Sequence, residues 1–67
     1  MDRLDAEIIV ALARNNMNIS MVGREMIYNR NSISYHIDKI KKDTGLDARN
    51  FFDLGTLYAL AVAVLEG

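Results

Sequence analysis

The chain has no cysteine, no proline and no tryptophan, and it has a single histidine. Without cysteine there is neither a disulfide nor a thiolate metal site. With one histidine, a His-based zinc cluster is excluded as well. A cysteine-free sequence fits a reducing compartment. The opening residues, MDRLDAEII, lack the basic start and apolar run of a signal peptide. The longest uncharged run, 54–65, is too short for a bilayer, which needs about 20 residues. These absences point to a cytoplasmic protein that does not enter a membrane. No Gly-rich phosphate loop, metal-ligand spacing or G-x-S-x-G turn is present. The sequence therefore does not read as an enzyme, and no cofactor or small-molecule effector site is expected.

What is present is a 67-residue chain with a net charge of −1. That length predicts one domain over residues 1–67. A domain so small buries only about 60% of its unfolded surface. With staples excluded, association with a second copy is the remaining way to bury more. The charge is unevenly spread. Residues 1–13 sum to −2, residues 14–42 to +4 and residues 43–67 to −3. A basic middle between acidic ends marks a possible partner surface.

The apolar period is helical throughout. Leu4, Ile8, Ala11 and Leu12 form one stripe of a first helix over 2–14, which the NNMN stretch at 15–18 ends. A short second helix starts near Ser20, a good N-cap. It turns Val22, Met26 and Met21 inward and ends around 27–29. Asn29 caps a third helix over about 30–43, with Ile33, Ile37 and Ile40 as its buried stripe. Gly45 stops that helix by taking a left-handed C′ position. A fourth helical region spans about 48–66, with a break near Asp53, itself a candidate N-cap. It is apolar on nearly every side, the mark of a helix buried all round. One small monomer cannot easily surround it, so it is either a core helix or a dimer interface.

A short capped helix, a tight turn and a longer helix make a helix-turn-helix. In that arrangement the second helix enters the DNA major groove and the first braces it. With Ile33 as the core direction, the outer row of the third helix is Asn31, Tyr35, Asp38 and Lys42, flanked by Ser34 and Lys39. Asn29 and Arg30 project from its start. Arginine can pair with guanine and asparagine with adenine through two hydrogen bonds each. Serine, tyrosine and amides at a helix start can hold phosphates.

The span NISMVGREMIYNRNSISYHIDKIKKDTGLD, 18–47, resembles the C-terminal domain of PucR-type and sugar-diacid-type transcriptional regulators. That family reads N-x-S-x-x-A-x-x-L, then H-R-N-T-L-R-Y-R-L-x-x-I, then T-G-L-D. Asn18, Ser20, Arg30, Asn31, Tyr35, Ile40, Thr44, Gly45, Leu46 and Asp47 match without a gap. The reading-helix half also looks Fis-like. The resemblance implies an all-α, four-helix domain containing a Fis/PucR-like helix-turn-helix, binding double-stranded DNA in transcription regulation. Departures are also plain. Asn29 stands for the usual histidine and Gly23 for the usual alanine. Ser34, His36 and Asp38 occupy positions where the family commonly keeps basic residues, so weaker DNA binding than in relatives is expected.

The candidate DNA-binding residues are Asn29, Arg30, Asn31, Ser32, Ser34, Tyr35, Lys39 and Lys42. His36, at the border of the apolar stripe, is expected to be structural. Asp38 is expected to pair with Lys41 or Lys42 one turn on. A homodimer interface is expected on the last helix through Leu54, Leu57, Tyr58, Ala61 and Leu65. Two reading helices would then lie about 34 Å apart, one turn of DNA. The alternative is a protein-interaction module, a helix-turn-helix relic that pairs through its apolar C-terminal helix with another regulator.

Overall fold

A computed structural model describes all 67 residues. Four helices follow one another: α1 Arg3–Arg14, α2 Ile19–Met26, α3 Arg30–Thr44 and α4 Phe51–Glu66. The all-α, four-helix architecture is the expected one. Helix α1 is the hub. It packs along α4 on one side and against the α2–α3 pair on the other, and α4 packs on no other helix.

Every helix starts on a side chain that accepts an orphan amide. Asp2 Oδ1 accepts from Asp5 N at 2.8 Å. Asn29 Oδ1 accepts from Ser32 N at 2.8 Å, as its place before α3 predicts. Two starts differ from expectation. Asn18, not Ser20, caps α2, its Oδ1 accepting from Met21 N at 3.1 Å. Asn18 has the extended backbone a cap requires, while Ser20 already lies in the first helical turn. Helix α4 begins at Phe51 behind the cap Asn50 and runs unbroken through Asp53. The Asp53 amide donates the cap bond to Asn50 Oδ1 at 3.0 Å, and its carboxylate Oδ2 accepts from Asp47 N, also at 3.0 Å.

Helix ends rely on left-handed residues. Asn16 and Met17 both have positive φ after α1, and Gly45 does so after α3 (φ 79°). The end of α2 is a Schellman motif: Tyr28 N donates to Gly23 O at 2.7 Å and Ile27 N to Arg24 O at 3.4 Å. The left-handed residue there is Ile27, φ 58°. A β-branched side chain is a genuine outlier in that region. Gly23 makes the motif possible, because a Cβ on it would lie 2.7 Å from Tyr28 O. The glycine that weakens α2 in isolation thus permits the close approach that closes the turn into α3.

The core joins all four helices. Ile8, Ile9 and Leu12 of α1, Val22 of α2, Ile33, Ile37 and Ile40 of α3 and Leu57 of α4 are its largest fully buried side chains. Ile33, Ile37 and Ile40 form the predicted stripe. Met21, expected inward, lies exposed. Helix α4 is not buried all round: Leu54, Leu57 and Ala61 face α1, while Phe51, Phe52, Tyr58 and Leu60 are exposed.

Candidate nucleic-acid interface

Helix α3 docks its isoleucine stripe inward and leaves Asn31, Tyr35, Asp38 and Lys42 in a row on the outside, all exposed. That row has the spacing i, i+4, i+7, i+11, one face of a helix. Asn29 and Arg30 lie exposed at its N-terminal end; Ser32 and Ser34 are half-buried on its flanks. Tyr35 is 65% exposed. Its ring meets His36 edge-on with centroids 5.4 Å apart. The structure thus brings the candidate side chains to one end and one face of α3, with Lys39 set apart from them.

Lys39 Nζ lies 3.1 Å from Asp5 Oδ2 and 3.3 Å from Asp2 Oδ2. Those contacts, Asp5 first, keep its ammonium charged above the ordinary lysine range. They hold the side chain on α1 rather than on the outer row. The other oxygen of Asp5 takes His36, with Nδ1 at 3.1 Å from Oδ1. Asp5 is only 2% exposed. A carboxylate so placed requires partners that satisfy both oxygens. His36 is thus part of the tie between α1 and α3, as its border position suggested. Asp5 was not foreseen. The signal was a carboxylate in register with the core positions Ile9 and Leu12, at i+4 and i+7.

Asp38 does not pair along its own helix. Its Oδ1 accepts from Arg49 Nη1 at 2.9 Å, across from the loop between α3 and α4. Lys41 instead approaches Asp47, at 3.6 Å. The carboxyl of Asp47 is held below the ordinary range, chiefly because it accepts the Arg49 amide.

The pairing of cations sorts the surface. Arg3 meets Glu7, Arg14 meets Glu25, Lys39 meets Asp2 and Asp5, Lys41 meets Asp47, and Arg49 meets Asp38 and Asp47. Arg24, Arg30 and Lys42 alone among the lysines and arginines have no carboxylate partner. All three lie on α2 and α3. The cations without a carboxylate partner therefore belong to the bracing helix and the outer helix of the pair.

Of the expected interface residues, Leu54, Leu57 and Ala61 are buried against α1 within the chain. They are unavailable to a second copy, because α1 covers the stripe that the sequence left without a partner. Tyr58 is exposed and Leu65 half-buried. Beside Tyr58, the exposed Phe51 and Phe52 with Val10 and Met17 border an open groove of about 800 Å³. No helix is long and apolar enough to cross a membrane.

A capped short helix, a Schellman turn and a longer helix with a polar outer row define a helix-turn-helix protein. Residues 6–64 match the PucR C-terminal helix-turn-helix domain. The chain belongs to that family. No curated protein and no solved structure shows a significant similarity to it.

Proposed function

We propose that this protein binds duplex DNA sequence-specifically as a small transcriptional regulator, with α3 in the major groove and α2 bracing it across the backbone. The observation that carries this reading is the confinement of the carboxylate-free cations, Arg24, Arg30 and Lys42, to α2 and α3. Arg30 and Asn31 at the start of α3 are the base readers. Asn29 divides its role: its Oδ1 caps the helix, leaving its amide NH₂ for a phosphate. Ser32, Ser34 and Tyr35 are phosphate contacts, and Lys42 adds charge further along the row. Lys39 contributes only if it leaves Asp2 and Asp5, so it ranks last among the eight candidates.

The role is one of binding in the cytoplasm rather than catalysis, and the protein acts as a homodimer. Because α1 covers Leu54, Leu57 and Ala61, the self-association surface we favour is the exposed apolar set Phe51, Phe52 and Tyr58. The same surface supports the second reading, a module that docks another regulator through it. Salt separates the two. Duplex affinity that falls linearly in log–log form as salt rises, and that weakens on Arg30→Ala, supports DNA reading. Failure to bind any duplex at low salt supports the docking module. Sedimentation as a monomer at micromolar concentration removes the dimer from the account.

A further inference from the structure

Asp38 sits in the middle of the outer row of α3, where a bare carboxylate would oppose the approach of a polyanion. It is not bare. Arg49 reaches it from the loop before α4, with Nη1 at 2.9 Å from Asp38 Oδ1 and 3.8 Å from Asp47 Oδ1. The backbone that carries Arg49 is fixed independently. Its amide donates to Asp47 Oδ1 at 2.9 Å, Asp47 N donates to Asp53 Oδ2 at 3.0 Å, and the neighbouring Ala48 is buried. An arginine presents five N–H donors in a rigid fork. Only Nη1 makes a hydrogen bond here, so Nη2 and Nε have no protein partner.

We infer that Asp38 and Arg49 form one DNA-contacting unit, in which Asp38 is the positioning residue and Arg49 the phosphate ligand. Asp38 holds the guanidinium at the edge of the outer row, and its unused donors meet a phosphate of the strand flanking the groove that α3 occupies. The fork can take a carboxylate and a phosphate at once, one on each edge. The unit delivers unused guanidinium donors to a face whose own helix supplies only Arg30 and Lys42 without a carboxylate partner, and it neutralises Asp38, which would otherwise repel a phosphate. This inference rests on the DNA-binding reading above.

The test uses the full chain with mixed-sequence duplex DNA, titrated between about 50 and 200 mM salt, on wild type, Arg30→Ala, Arg49→Ala, Asp38→Asn and the double variant. Helical content by circular dichroism checks that each folds; both side chains lie at the surface, and Arg49→Lys serves as a milder second variant. Arg49→Ala is expected to weaken binding about tenfold at low salt and to lower the salt slope by about one. Asp38→Asn is expected to weaken binding with Arg49 present and to strengthen it once Arg49 is gone. That reversal is a readout a merely structural pair would not give. If Arg49→Ala leaves affinity and slope unchanged while Arg30→Ala weakens binding, the unit is refuted and the DNA-binding reading survives. Tighter binding by Asp38→Asn in both backgrounds also refutes it. If wild type binds no duplex, both fall together.

Discussion

Ile27 is the side chain most at odds with its backbone, and replacing it with glycine should stabilise the protein. It holds φ 58° and ψ 40° at the end of α2. The left-handed conformation costs an L-residue about 1–2 kcal/mol, and β-branching puts isoleucine at the upper end of that range. The side chain gives little in return, since it is 92% exposed and its removal forfeits almost no apolar burial. Against the gain stands the greater freedom of glycine in the unfolded chain, about 0.5–1 kcal/mol. The balance favours Ile27→Gly by about 0.5–1.5 kcal/mol, which for a domain of this size raises Tm by about 2–12 °C. Thermal and urea unfolding followed by far-UV circular dichroism measures it. Ile27→Val is the control, because it keeps the branch and should leave Tm where it was. A Tm for Ile27→Gly at or below that of wild type would show that the turn is not strained, and the reasoning would fail.

Three further outcomes follow from the same structure. Gly23→Ala brings a Cβ within 2.7 Å of Tyr28 O; the clash, about 1–3 kcal/mol, outweighs the helix propensity gained, and a lowered urea midpoint reports it. Asp5→Ala removes the bond to His36, worth about 1.5–3 kcal/mol, and in a double-mutant cycle with His36→Ala the two losses should be far from additive; additive losses would dissolve the tie between α1 and α3. Asp47 has a folded-state pKa below its unfolded one, so its stabilisation is complete above about pH 4 and disappears as pH falls through the depressed value. Acid unfolding of Asp47→Asn should consequently be flatter below about pH 4 than that of wild type.

Much of the fold could be read in advance because local rules and packing agree. The stripe Ile33, Ile37 and Ile40, the cap Asn29 and the stop Gly45 each belong to α3 alone, and each is where the period and the turn chemistry put it. What escaped depends on a choice between neighbouring caps or on partners distant in sequence. Ser20 and Asp53 are good caps by type, yet Asn18 and Asn50 hold the extended backbone, and only the path of the chain decides between them. The apolar sides of α4 do not reveal that α1 covers Leu54, Leu57 and Ala61 and leaves Phe51 and Phe52 outside. Asp38 has lysines one turn away, but the loop delivers Arg49 to it. Lys39 stands at a suitable angle for phosphate and is taken by Asp2 and Asp5, 37 and 34 residues earlier. The candidate interface was legible as a row of residue types; which of its charges are free was not.

The central claim is that the α2–α3 surface reads duplex DNA. Selection of bound sequences from a random duplex pool by the purified chain at about 50 mM salt, repeated with Arg30→Ala, tests it most directly. The account predicts enrichment of a recurring sequence by wild type, and loss of preference at one position of that sequence with Arg30→Ala. Recovery of no duplex above background at that salt would contradict it.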